Sequence, residues 1–513
     1  MVAGDSPASS STSTAPGEVA RDDTQTGVSP RLNQMAMRFD FDSETRRRLG
    51  YRLIDQVDSF FSSLPDRPVQ LPLEQRSYGP LHHPLPENGE DAEKVLNELF
   101  REMVEQGFHV PSANYFGLMN PTPTYMGVLG EALVAGLNPQ LATLARSQLA
   151  SKIELETVRW IGERVGWAGE FNGTFTSGGN EANFSGLALA LAAKFPDAVE
   201  EGVASIGGQP VCYASAESHH SLDKSAGLLG IGRKALRRIA VNRAAQLDPQ
   251  ELGRAIAQDR SAGRKPFCVV ATAGTTNSGA VDDLIAISEV CREQELWLHV
   301  DGAYGGVAIF SNQHRGLVRG IERADSLTID PHKWLAMPFA AGVILTRHPE
   351  ILERAFSVAA PYMPKAAGAQ LPDNSRISTQ WTRRMNSLKL WLTLRVHGRQ
   401  AYEELIDRQL RLAKSFADWV KASDDFELAV APTLPIVTFQ LKSDWTEQLA
   451  AQHDAIVEEV TRDGSRWISE TKVRGQSVLR MMVISYLTEE RHLHGLETAL
   501  ATAAKRFRIR AVG

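Results

Sequence analysis

From about residue 170 onward the chain alternates short runs of apolar, often β-branched residues with stretches patterned as helix: GTFTSG, VCYAS, FCVVATAG, LWLHVDG, SLTIDP and AGVILTR. Runs that are apolar along their whole length belong in a sheet buried on both faces, because a half-exposed sheet would alternate apolar and polar residues. The expected fold class is therefore α/β, a mostly parallel central sheet flanked by helices. In such sheets ligands sit beyond the carboxyl ends of the strands. The polar residues that end these runs are where chemistry should be sought.

On either side of this core the pattern changes. The first 34 residues are rich in Ser, Thr, Gly and Asp and offer little to bury, so residues 1–34 are expected to be a disordered tail. RRRLGYRLIDQVDSFF places Leu49, Leu53, Val57 and Phe60 three or four apart, and EKVLNELFREMVEQGF repeats the spacing, which predicts an N-terminal helical segment over 35–125. The large α/β domain then covers 126–392. Beyond it AYEELIDRQLRLAKSFADWVKA, strands around IVTFQL and LRMMVISY, and a last helix predict a small α+β domain over 393–513.

Charge and composition narrow the partners. Lys and Arg number 55 against 61 Asp and Glu, a net charge of −6, so no basic field gathers nucleic acid. No run of about 18 apolar residues is present to cross a membrane. Cys212, Cys268 and Cys291 are odd in number, lack CxxC spacing and sit among apolar neighbours, as buried thiols in a reducing compartment would. Nothing near Met1 has the pattern of a secretory leader, and a cytoplasmic location is expected. GIGRKA, residues 230–235, matches a GxGxxA dinucleotide fingerprint on paper but follows a helical stretch, not the strand that motif needs. HExxH, CxxC and GxSxG are absent, and no metal site is expected.

The strand ends carry the candidate residues. SLTI runs into Asp330-Pro331-His332-Lys333-Trp334, where a lysine fixed by a proline and flanked by an imidazole and an indole could lose part of its hydration and form a Schiff base. Taken alone, Lys333 could equally be a solvated loop residue. LWLHV ends in Asp301, a carboxylate that needs a cation or several hydrogen bonds at the end of a buried strand, and a pyridinium nitrogen would satisfy it. TSGGNEAN, residues 176–183, opens a helical run, and Gly178, Gly179 and Asn180 would let an anion approach the backbone at the helix's positive end. VCYAS leads to His219 and His220, either of which could stack on a flat aromatic cofactor. FCVVAT delivers Thr272 and then Gly274-Thr275-Thr276, small hydroxyl residues suited to contacting cofactor or substrate. Each signal is weak alone; their order at the ends of successive strands gives them weight.

DPHKW, HVDGAYGG, SHHSLDKSAG and FTSGGNEAN together resemble the group II pyridoxal-phosphate-dependent amino-acid decarboxylases, the family of aromatic amino-acid, glutamate and histidine decarboxylases, from about residue 40 to the C-terminus. The resemblance implies fold type I, pyridoxal 5'-phosphate as cofactor, and decarboxylation of an L-amino acid to its amine. It implies Lys333 as the Schiff-base lysine, Asp301 as partner of the pyridine nitrogen, Ala303 on one ring face and His219, with Lys224 five residues on, against the other. Gly179, Asn180, Asp330 and His332 would hold the phosphate, with Thr275 a further cofactor contact. Tyr362, in the Ala-, Pro- and Gly-rich segment APYMPKAAGAQLPDNS, falls where the family keeps the acid that protonates the carbon left by CO2. Relatives with Phe there oxidise their substrates to aldehydes, so Tyr362 favours plain decarboxylation.

The same resemblance implies a homodimer whose active site is completed across the subunit interface. It places Asn120, Thr122 and Tyr125 in the substrate pocket, and Arg480 as either a carboxylate anchor or a domain-interface residue. One departure bears on substrate: where relatives carry aromatic residues, this chain reads Leu144-Ala145-Arg146-Ser147-Gln148. Arg146 could meet an acidic side chain or make an interface salt bridge. An aromatic substrate is expected first and an acidic one second. An aldehyde synthase, a transaminase or another lyase of the same fold is the alternative.

Overall fold

The computed structural model describes residues 39–76, 85–358, 372–442 and 449–512. The expected tail and Tyr362 lie outside these residues.

The central sheet has seven strands: β1 (Asn172–Thr176), β2 (Pro210–Ser215), β3 (Leu236–Ile239), β4 (Lys265–Thr272), β5 (Trp297–Asp301), β6 (Ser326–Ile329) and β7 (Gly342–Thr346), in the order β1-β7-β6-β5-β4-β2-β3. β7 runs antiparallel to both of its neighbours, and the other six strands share one direction. Every residue of β2, β5, β6 and β7 is buried; β2, β5 and β7 carry apolar residues on both faces, whereas β6, Ser-Leu-Thr-Ile, turns buried hydroxyls to one side.

β3 escaped the sequence reading because it is a Leu-Arg-Arg-Ile edge strand. Arg238 there is held by Asp223 at 2.6 Å and the Ser215 carbonyl at 3.0 Å. The preceding GIGRKA reaches β3 through a short turn at Arg233–Ala235, with no strand before it and no helix carried on from it.

A second, antiparallel sheet of β8 (Phe426–Leu428), β9 (Ile436–Leu441), β10 (Ser469–Val473) and β11 (Gln476–Met482) follows, in the order β10-β11-β9-β8. It has its own core, in which Phe416, Phe426, Phe439, Leu479 and Leu496 meet. The helix Ser387–Ala422 supplies residues to both cores, Leu390 to the large one and Phe416 to the small, and breaks its helical geometry at Gly398, φ 74°.

The two N-terminal amphipathic patterns form helices Ser43–Ser63 and Ala92–Glu105, capped by the Asp42 and Asp91 carboxylates. Neither buries a residue within the single chain, and Leu53, Ile54, Leu99 and Met103 stay exposed. None of the described helices is long and apolar enough to cross a membrane.

Candidate active site

The parallel strands deliver their ends to one place. After β1 the chain turns into the helix Gly179–Lys194 with Gly178, at φ 148°, as its cap. A Cβ on Gly179 would sit 2.6 Å from Asp330 Oδ2 and 3.3 Å from Ala303 Cβ, and one on Gly178 would sit 3.0 Å from His332 Cε1. Only glycine lets the backbone come this close to the opposite wall, and it does so at the positive end of a helix.

Asp301 ends β5, in register between Thr272 of β4 and Thr328 of β6. It is 5% exposed; Oδ2 accepts from Asn183 Nδ2 at 2.8 Å and Oδ1 from the Ala303 amide at 3.1 Å. No cationic side chain among the described residues forms an ion pair with it. Two hydrogen bonds alone face a buried charge, which leaves the site short of a positive partner.

Past β6 the Lys333 amide donates to the Asp330 carbonyl at 3.0 Å, and Lys333 Nζ stands 3.2 Å from Asp330 Oδ2. Burial pushes the Asp330 carboxyl up to about 6, against the pull of the Lys333 ammonium. His332 Nδ1 accepts from the Ala341 amide at 3.0 Å, and burial, reinforced by Lys333, drives its pKa down to about 3. Lys389 Nζ donates to the Pro338 and Ala340 carbonyls at 2.8 Å each and so pins the loop that carries both. After β2, His219, exposed at the mouth of the cleft, accepts at Nδ1 from the Ser221 amide at 3.1 Å, and partial desolvation by the surrounding chain lowers its pKa. His220 is exposed and pairs with Asp223, and Lys224 is exposed too.

Gly179, Asn180, His219, Asp301, Ala303, Asp330, His332 and Lys333 line a single cleft of about 290 Å³, joined by Met119, Asn183, Thr272, Thr276 and Tyr304. Three buried polar atoms without a partner, Thr272 Oγ1, Tyr304 OH and Asp330 Oδ1, belong to residues of this cleft. Buried polar groups are rarely left so unless a ligand or water meets them. A larger cavity, about 380 Å³, opens at the opposite end of the sheet around Asp325, but Arg347 and His348 already occupy that carboxylate.

The remaining candidates lie elsewhere. Thr275 is fully buried, its Oγ1 accepting from the Ala280 amide at 3.1 Å; Gly274, at φ 101°, turns the chain so that Thr276 reaches the cleft instead. Thr122 Oγ1 donates to the Pro111 carbonyl at 2.6 Å, and Tyr125 packs edge-on against Phe61. From the segment that holds Asn120, it is Met119 that lines the cleft. Arg146 is exposed on its own chain and away from the cleft. Arg480, 4% exposed, stands behind the wall: Nη1 donates to the Thr276 carbonyl at 2.8 Å and Nε to Ser469 Oγ at 3.1 Å. Asn183 was missed by the sequence reading, although its place one helical turn after Gly179 puts it on the same side of the helix.

A model of the pyridoxal-dependent decarboxylase conserved domain matches residues 74–442. The chain belongs to the pyridoxal-dependent decarboxylases. The decarboxylase is 31% identical over 457 residues to an aromatic-L-amino-acid decarboxylase of Bacillus atrophaeus, covering 88% of this chain and 94% of that one. It is 28% identical over 469 residues to a phenylacetaldehyde synthase of Arabidopsis thaliana, with the same coverage, 88% and 94%. The crystal structure of Oryza sativa TDC with PLP and tryptamine superposes with a TM-score of 0.85 at 25% identity, covering 91% and 99% of the two chains. The decarboxylase is thus a carboxy-lyase that uses pyridoxal phosphate on an amino acid. Its cleft suits that cofactor: a glycine-built anion cradle, a buried carboxylate short of a cation and a lysine converge there.

Proposed function

We propose that this decarboxylase removes the α-carboxylate of an aromatic L-amino acid and releases the amine. One observation carries the aromatic reading: Lys333 is the only lysine or arginine among the described residues lining the cleft, and Met119, Ala303 and Tyr304 supply apolar surface beside it. Among the described residues of the cleft, a side-chain carboxylate would find no lysine or arginine to hold it once Lys333 is engaged. Arg146 is exposed and outside the cleft, so it can touch substrate only from across a subunit interface.

Pyridoxal phosphate supplies the electron sink that lets CO2 depart. The chain's part is to place and to protonate. Lys333 would hold the cofactor through its amine; Asp301 would meet its ring nitrogen; Ala303 and His219 would contact its ring; Gly179, Asn180, Asp330 and His332 would hold its phosphate. A neutral His219 can lie against a cationic ring without repulsion, which its lowered pKa supports. Tyr362 returns the proton to the carbon that lost CO2.

The working unit is a homodimer, supported by the two N-terminal helices that leave Leu53, Ile54, Leu99 and Met103 uncovered. The three cysteines are free and buried, which supports a cytoplasmic location.

The test adds single L-amino acids to the purified yellow protein, follows CO2 release and identifies the product by mass. An aromatic amine without aldehyde or peroxide is expected. Release of CO2 only from glutamate, aspartate or a sulfinate would overturn the aromatic assignment and turn attention to Arg146. Aldehyde with peroxide would overturn plain decarboxylation and the role given to Tyr362.

A further inference from the structure

The buried side of Asp301 is more elaborate than anchoring a carboxylate requires. Trp297 Nε1 donates to Ser326 Oγ at 2.8 Å; Ser326 Oγ lies 2.8 Å from His299 Nδ1; His299 Nε2 lies 3.1 Å from Asn183 Oδ1; and Asn183 Nδ2 donates to Asp301 Oδ2 at 2.8 Å. All of these side chains are buried, His299 and Ser326 completely.

Donor and acceptor chemistry fixes the direction of this chain. The Asp301 carboxylate can only accept, so the Asn183 NH2 faces it and the Asn183 oxygen is left to accept from His299 Nε2; Nδ1 of the neutral ring then accepts from the Ser326 hydroxyl, which itself accepts from the Trp297 indole. His299 then carries its hydrogen on Nε2, with the Thr328 hydroxyl at 3.3 Å as a second, weaker neighbour, and presents it to the Asn183 oxygen. The Asn183 amide is thereby oriented with both hydrogens toward Asp301 Oδ2 and Ser221 Oγ, the latter at 3.1 Å. Reversing the amide would set its oxygen against the carboxylate and its NH2 against the imidazole N–H. Burial keeps His299 neutral, its pKa near 4, so the relay holds one arrangement across the physiological range. Gly186 is shaped for the ring: a Cβ there would come within 2.3 Å of His299 Cε1.

We propose that His299 and Asn183 are positioning residues which hold the Asp301 carboxylate aimed into the cleft, and so govern its grip on the cofactor's ring nitrogen through a hydrogen-bonded relay. The proposal rests on the reading that Asp301 meets that nitrogen. The other titratable groups around Asp301 are His219, Lys333 and Asp330, and none of them hydrogen-bonds to its carboxylate among the described contacts.

The experiment titrates pyridoxal phosphate into apoenzyme, with affinity read by fluorescence between pH 6 and 8, for Asp301→Asn, Asn183→Ala, Gly186→Ala and the pair His299→Gln and His299→Phe. Losing one hydrogen bond to a charged acceptor should weaken binding about tenfold to a hundredfold in Asn183→Ala. Gly186→Ala should weaken binding in the same sense although alanine suits a helix better than glycine, and His299→Gln should bind more tightly than His299→Phe. If Asp301→Asn weakens binding while Asn183→Ala and Gly186→Ala stay within twofold of the parent at every pH, the relay is overturned and the reading of Asp301 stands. If Asp301→Asn itself binds like the parent, that reading falls and the proposal with it.

Discussion

The ion pair between Glu154 and Arg383 offers a prediction whose size can be worked from geometry. Both side chains are 1% exposed, and the pair is two-pronged, with Arg383 Nη1 2.8 Å from Oε2 and Nη2 2.6 Å from Oε1. Glu154 also accepts from the Phe175 amide at 3.3 Å, and Arg383 donates to Thr174 Oγ1 at 3.1 Å, so the pair fastens β1 to two other segments. Glu154→Leu strands a guanidinium in the interior, at a cost of about 3–5 kcal/mol. An unfolding entropy of about 2.1 cal/mol/K per residue implies roughly 1 kcal/mol/K for a chain of this length, and so a melting point about 3–5 °C lower. Arg383→Leu should cost a similar amount. The double variant Glu154→Leu with Arg383→Leu leaves no buried charge behind and should lose clearly less than the two single losses added together. Calorimetry of the four apoproteins decides the matter. Single variants that shift the melting point by under 1 °C, or a double variant whose loss equals the sum, would refute the reasoning.

Two further outcomes follow from named contacts. Gly179→Ala drives a methyl into Asp330 and Ala303, so cofactor affinity should fall at least tenfold while the far-UV circular dichroism of the apoprotein stays unchanged; unaltered affinity would show that the turn gives way at little cost. His299 also links stability to pH: the unfolded state takes up its proton near 6.5 but the folded state only near 4. The unfolded state therefore binds more protons in that window, and stability falls by about 3 kcal/mol as pH drops from 6.5 to 4. His299→Gln should remove that slope in apoprotein urea titrations across the window, and curves that stay parallel to those of the parent would contradict the assignment.

What the sequence disclosed was the set of residues at the ends of apolar runs, because an apolar run interrupted by Asp301 or by Asp330 and Lys333 stands out without knowledge of the fold. His299 was equally visible in principle: it lies two residues before Asp301, and side chains two apart in a strand share a face. The choice between Thr275 and Thr276 was not legible, since it depends on the turn Gly274 makes at φ 101°. The surroundings of Thr122 were hidden as well, because its hydroxyl also meets Ser485 at 2.6 Å, from the far end of the chain. β3 was hidden by its two arginines, which an edge strand tolerates and a central one would not.

The hairpin of β10 and β11 has a consequence for anyone rebuilding this enzyme. Besides Arg480 on the Thr276 carbonyl, the Thr471 hydroxyl and the Lys472 carbonyl hold Asn277 at 2.9 and 3.0 Å, and the Arg474 amide donates to Glu217 at 2.6 Å. Two loops that reach the cleft from different strands, one leading to His219 and one carrying Thr276, are thus gripped by a single C-terminal hairpin. A chimera that exchanges the large sheet between relatives must carry residues 469–482 with it. Cutting the chain after the large sheet would leave both walls of the cleft without their brace, not a smaller working catalyst.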